Sequence, residues 1–266
     1  MSDFLQIMAS ASAARAAVIN PTFSSADFDK PVVPLTLDNF DVIAEIKERS
    51  PAEGDLSSRG SDRGARARAY ASGGAAAISV LTEPSRFDGD LLHLAEVAAA
   101  VPDTPVMRKD FLVEPVQILE ARKAGASGVL LITTMLSDAK LRAMLDCAWD
   151  HGLFVLLESF NEEDLRRSSA LLANNADRDR ADTGQLLIGV NTRNLRTLEV
   201  DPERLRNLAQ VLPVARCVAE SGLIVANDAA RVAAWGYRMA LVGTALMRSD
   251  DPAGLIVAMR KAGAAT

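Results

Sequence analysis

The chain has 266 residues, 49% hydrophobic and 24% charged, which is enough apolar side chain to bury a large core and excludes a disordered segment. A net charge of −6 argues against a general nucleic-acid surface, so any anionic ligand must be gathered by local cations. No apolar run reaches the ~18 residues of a membrane span. The N-terminus MSDFLQIMAS lacks the basic flank of a secretion signal, and Cys147 and Cys217 are too few and too far apart for a disulfide framework or a metal cluster. The expectation is a cytoplasmic protein with two buried thiols.

Residues 1–40 hold an apolar helix-like stretch, FLQIMASASAARAAV, then a link rich in Pro, Ser and Asp, which predicts an extra helix ahead of the first strand. From Asp41 onward eight β-rich runs alternate with helical stretches. The runs are DVIAEIK from Asp41, AAISVLT from Ala76, TPVMRK from Thr104, GVLLIT from Gly128, LFVLLES from Leu153, LLIGVN from Leu186, VARCVAE from Val214 and MALVG from Met239. Ser137-Asp138 and Asp201-Pro202 read as helix starts, and the glycines of KAGASG, WDHG and AWG as helix ends. Eight strands with eight crossover helices predict one domain over residues 1–266, a (β/α)8 TIM barrel at 41–266 behind an N-terminal extension at 1–40. A doubly wound open sheet is the alternative, disfavoured because no G-x-G-x-x-G follows the first strand and no Walker loop is present. The polar stretch from Ala173 to Gly184 reads as a mobile surface loop, and the arginine-rich SSRGSDRGARARAY from Ser57 as a solvated loop and helix face.

Side chains alternate along a strand, so Ile43, Glu45 and Lys47 share one face of the first strand and the apolar Val42, Ala44 and Ile46 the other. The apolar trio suits packing on helices, which leaves Glu45 and Lys47 facing the lumen near the strand's C-terminal end, where barrels of this kind build their sites. The fifth strand repeats the pattern with Phe154, Leu156 and Glu158. Lys109 ends the third strand, Asn191 and Arg193 follow the sixth, Glu220 and Ser221 end the seventh, and Gly243 and Thr244 end the eighth. Polar groups that converge on one rim point to function, because chance would scatter them between the two ends.

His93 and His151 lie in or beside helices, so acid and base work falls to Lys and Glu, and a Ser/His/Asp triad is excluded. Carboxylates interleaved with cations, without imidazole or thiolate partners, predict no metal. AESGL at 219–223 and VGTALMR at 242–248 supply glycines and hydroxyls where such barrels hold a phosphate. Phe87 and Phe111 read equally as packing and as walls of an apolar pocket.

The segments VIAEIKERSPAEG, ISVLTEPSRFDGD, VMRKDFLVEPVQILEARKAGASGVLLI, IGVNTRNLRTLEVD, VAESGL and LVGTALMR resemble the successive motifs of the indole-3-glycerol phosphate synthase family. The resemblance runs from Asp41 to Pro252. It implies a carboxy-lyase of tryptophan biosynthesis that needs no cofactor and turns 1-(2-carboxyphenylamino)-1-deoxyribulose 5-phosphate into indole-3-glycerol phosphate, CO2 and water. Carried over by motif, Lys109 is the general acid for ring closure, and Glu158 and Lys47 share the later proton transfers, which of them is the base being left open. Glu45 positions the lysines. Asn191 and Arg193 orient the anthranilate part, Glu220 and Ser221 the polyol, and Gly222, Gly243 and Thr244 the phosphate, with Ser50 nearby. Phe87, Phe111 and Leu131 form the wall for the ring. The expected partner is the phosphorylated substrate alone, with no nucleic acid or membrane, on a monomer or weak dimer.

Three departures from the family pattern stand out. SPAEG places Glu53 where a lysine is usual, Ser159 and Phe160 replace Val-His after Glu158, and the 173–184 stretch looks longer than usual. Two other readings compete with the synthase. A non-catalytic paralogue binding a phosphorylated metabolite would have no need of the acid–base set. A phosphoribosylanthranilate isomerase would need a cysteine at a strand end, and Cys217 lies within its strand.

Overall fold

The computed structural model describes residues 3–50, 54–56, 62–193, 200, 201 and 203–266. Eight strands, β1 (Asp41–Ile46), β2 (Ala77–Leu81), β3 (Val106–Lys109), β4 (Gly128–Ile132), β5 (Phe154–Ser159), β6 (Leu186–Asn191), β7 (Cys217–Glu220) and β8 (Met239–Val242), pair in parallel, each with the next. β8 pairs back onto β1, so that Ile43 faces Ala77 on one side and Leu241 on the other. The closed ring decides for the TIM barrel over the open sheet.

Ahead of the ring lies the predicted extra helix, α1 (Asp3–Ala17). Around it run α2 (Arg63–Ser72), α3 (Pro84–Phe87), α4 (Leu91–Ala100), α5 (Pro115–Ala124), α6 (Asp138–Asp150), α7 (Glu162–Leu171), α8 (Asn175–Asp182), α9 (Arg204–Leu208), α10 (Ala226–Ala234), α11 (Thr244–Arg248) and α12 (Pro252–Ala264). The Ser137 side chain accepts from the Lys140 N–H at the start of α6, and Gly125 ends α5 at a φ of 104° that a side chain would resist. Asp201 accepts from the Glu203 N–H just before α9, while Pro202 lies outside the described residues. None of the described helices is long and apolar enough to cross a membrane.

The strand faces separate two apolar clusters. Val42, Ala44, Ile46, Val155 and Leu157 pack outward under the helices, whereas Ile43, Met107, Phe154, Leu156, Leu187, Val218 and Met239 fill the lumen. Phe154 lies across β4 where Gly128 leaves room, since a Cβ there would enter its ring. α1 adds Leu5 and Met8 to the lumen cluster, so the extension is an integral part of the domain.

Three expectations need correction. The 173–184 stretch is helical, not a loop. Asn174 caps α8, Asp177 is buried against Arg142 at 2.9 Å, and the Arg142 and Arg180 guanidiniums both lie over the Trp149 ring. Its charges are used in pairing across helices, a use that composition cannot distinguish from solvation. In the arginine-rich segment Arg63 pairs with Glu48 and Glu96 and Arg66 donates to the Leu246 carbonyl, so these side chains are tied down, and 57–61 lie outside the described residues. Of the two thiols Cys217 is buried and Cys147 half-buried.

Candidate active site

The inner faces of the strands change character along their length. The residues above the apolar fill, at the C-terminal ends, are Glu45, Lys47, Lys109, Glu158, Asn191 and Glu220, as the alternation of side chains predicts. Glu45 stands between the two lysines, its Oε1 2.6 Å from Lys47 Nζ and its Oε2 3.1 Å from Lys109 Nζ. Burial alone would raise the Glu45 carboxyl, but the Lys109 and Lys47 ammoniums more than offset this and hold it at about 2. Burial alone would likewise lower Lys109, and the Glu45, Glu158 and Glu220 carboxyls raise it instead, so it enters any reaction as an ammonium.

Glu158 accepts from Asn191 Nδ2 at 3.2 Å. The orientation of that amide is fixed from its other end, because Asn191 Oδ1 accepts from Ser221 Oγ and from the Arg193 N–H, both at 2.9 Å. Burial, partly opposed by Lys109, raises the Glu158 carboxyl. Glu220 lies deeper and is not part of the cavity wall. Gly189 on β6 is what admits it, since a Cβ there would collide with Glu220 Oε1.

Above this floor opens a cavity of about 670 Å3, large enough for a small phosphorylated metabolite. Phe87 and Phe111 line it with ring centroids 6.3 Å apart, and Phe4 of α1 meets Phe111 edge-on at 5.9 Å. Leu131 does not line it. On β4 Leu131 points outward into the helix layer, and its neighbours Leu130 and Ile132 form the wall. Arg15 holds this side of the mouth together. It reaches Asp110, next to Lys109, at 2.6 Å, and Glu83, which caps the short helix carrying Phe87, at 3.5 Å.

On the opposite side Ser50, Arg193, Ser221, Gly222, Gly243 and Thr244 all line the cavity. Ser221 has a φ of 69°, in the left-handed region that residues with a side chain adopt only rarely. At Gly243 a Cβ would collide with Glu45 Oε1 and Lys47 Nζ, so this glycine is required by the ion pair beneath it. Arg248, one turn along α11, adds a cation that sequence reasoning missed, although VGTALMR contains it. Phe4 was also missed, and only the folded contact reveals it. Glu53 lies outside the described residues. Burial pushes the Cys217 thiol up to about 12 on the outer face of β7, which removes it as a nucleophile and with it the isomerase reading.

The family profile of indole-3-glycerol phosphate synthase matches residues 14–259. The chain is 47% identical over 216 residues to the indole-3-glycerol phosphate synthase of a Nocardioides species, covering 81% of this chain and 78% of the relative. It is 44% identical over 225 residues to that of Paenarthrobacter aurescens, covering 84% and 78%, and 45% over 213 residues to that of Azospirillum brasilense, covering 80% and 76%. Among solved structures, 3-hexulose-6-phosphate synthase from Salmonella typhimurium superposes with a TM-score of 0.61 at 16% identity, covering 84% of this chain and 98% of that one, a likeness of fold alone. With the site built from the residues above and the match running through all eight strands, the chain belongs to the indole-3-glycerol phosphate synthase family.

Proposed function

We propose that Lys109, Lys47, Glu45 and Glu158 are the acid–base set by which this chain performs the reaction of its family. As a member of that family it is a decarboxylating lyase of tryptophan biosynthesis that acts on a phosphorylated small molecule. The substrate, 1-(2-carboxyphenylamino)-1-deoxyribulose 5-phosphate, carries an aryl ring, a carboxylate, a ketone and a phosphate, and the cavity offers a counterpart for each. Phe4, Phe87, Phe111, Leu130 and Ile132 flank the ring, Arg193 and Asn191 the carboxylate side, and the loops at Ser221–Gly222 and Gly243–Thr244, with Ser50 and Arg248, the phosphate end.

In the first step the ring carbon bearing the carboxylate bonds to the ketone carbon, and the ketone oxygen takes a proton from the Lys109 ammonium to become a hydroxyl. The bond to the carboxylate then breaks, CO2 leaves, and its electron pair returns to the ring. Glu158 next removes a proton from the carbon beside the ring nitrogen while the hydroxyl departs as water with a proton from Lys47. The protonation states support this division. An ammonium paired with Glu45 is placed to give a proton, and burial raises the proton affinity of the Glu158 carboxylate, which suits it to take one.

The observation that carries the assignment is the Glu45 carboxylate held between two ammoniums at the cavity floor. A protein that only binds has no use for that arrangement, which costs desolvation at each buried charge. Single-turnover experiments that follow CO2 and indole separately test the roles. K109A is expected to lose both products together, and E158Q to release CO2 while indole formation stalls. Proportional loss of CO2 and indole in E158Q would contradict the division.

A further inference from the structure

Among the described residues the lumen floor holds three carboxyl groups, on Glu45, Glu158 and Glu220, but two ammoniums, on Lys47 and Lys109. Both ammoniums bond to Glu45, so they neutralise it first. Glu158 has the Asn191 amide. Among the described residues neither buried oxygen of Glu220 has a hydrogen-bond donor. The charged groups facing it are Glu158 from β5, Lys109 from β3 and Glu45 from β1, while β6 and β8 offer the neutral Gly189, Asn191 and Leu241.

Two facing anions with one shared cation nearby are costly in a closed lumen, and as carboxylates neither can donate to the other. A single proton resolves both problems. It lowers the excess negative charge of the cluster and gives Glu220 an O–H to direct at the Glu158 carboxylate, whose charge is the largest influence on Glu220 after burial.

We propose that Glu158 and Glu220 share one proton at neutral pH, resident on Glu220 and donated to Glu158, so that Glu220 is the positioning residue that sets the basicity of the base. Burial and the Glu158 charge push the Glu220 carboxyl well above the usual carboxylate range, in keeping with this. In this reading Glu220, which is not among the residues lining the cavity, acts through Glu158. The inference rests on Glu158 being a proton-transfer group, and its test distinguishes the two.

Infrared spectra of the intact protein at neutral pH, in water and in deuterium oxide, are expected to show the C=O stretch of one buried protonated carboxyl that is lost in E220Q. No such band in the wild-type protein, or a band that survives E220Q, overturns the proposal. Kinetically, E220A is expected to lower kcat by about 10²-fold with little change in KM, and E220Q, which still offers an N–H to Glu158, to recover most of that loss. Equal losses in E220A and E220Q overturn the donor role. If Glu158 is not the base, E158Q turns over like the wild type whatever the infrared band shows, which separates failure of that reading from failure of this one.

Discussion

The two halves of the lumen are built on the same eight strands and behave in opposite ways. In the N-terminal half Ile43, Met107, Leu156, Leu187, Val218 and Met239 are fully buried hydrocarbon, so each contributes packing and removes apolar surface from water. In the C-terminal half Glu45, Glu158 and Glu220 are buried to a similar degree, but each carboxyl costs desolvation that a partner must offset. The lower half supplies the hydrocarbon burial that stabilises the ring, and this offsets the desolvation of the buried charges above it.

The first and largest way to break that contrast is to remove one charge. Lys109→Ala is expected to lower kcat by about 10² to 10⁴ while the protein stays folded, and near-normal turnover would remove Lys109 as the general acid. In the lower half Leu156→Ala is expected to cost about 2 to 5 kcal/mol in denaturant unfolding, with kcat and KM changed little once the protein is folded.

The pH dependence of stability sharpens the comparison within the upper half, because folding shifts two of its carboxyls in opposite directions. The Glu45 carboxyl is held at about 2 against an ordinary value of 4.5, so the unfolded chain binds the extra proton between these values. Its contribution is therefore present above pH 4.5 and lost as pH falls toward 2, and the deficit of E45Q relative to wild type should shrink across that window. Glu220 is raised from the same ordinary value of 4.5, so the folded chain keeps the proton that the unfolded chain releases. Its effect is destabilising and grows as pH rises above 4.5, and E220Q should be more stable than wild type at neutrality and equal to it below that value. A tenfold difference in proton affinity between the folded and unfolded chain is worth about 1.4 kcal/mol. The smallest effect is expected from Arg15→Ala, about 1 to 2 kcal/mol, because Arg108 still bonds Asp110. Loosening of the aromatic side should raise KM more than it lowers kcat, and steady-state kinetics would show the reverse if α1 were only a structural cover.

Glu45, Lys47 and Glu158 are legible from sequence because a period of two has only two faces, and the apolar face must go to the helices. The same arithmetic on GVLLI turns Leu130 and Ile132 inward. Leu131, which the family resemblance puts in the ring wall, falls on the other side of the strand. α8 is illegible for a different reason, since its alternating Asp and Arg suit solvent and cross-helix pairing equally, and Trp149 that decides the matter lies elsewhere in the chain. Phe4 and Arg15 reach partners about a hundred residues away, and nothing local in MSDFLQIMAS signals a cavity wall. Gly189 reads as an ordinary strand glycine until the Glu220 carboxyl is seen beneath it.

The central claim is that the charged upper half converts 1-(2-carboxyphenylamino)-1-deoxyribulose 5-phosphate. The direct measurement is the absorbance and fluorescence change when the purified protein meets that compound in buffer containing EDTA. The account predicts appearance of the indole chromophore at a rate proportional to protein concentration. Binding without indole formation would contradict it and return the chain to the class of metabolite binders.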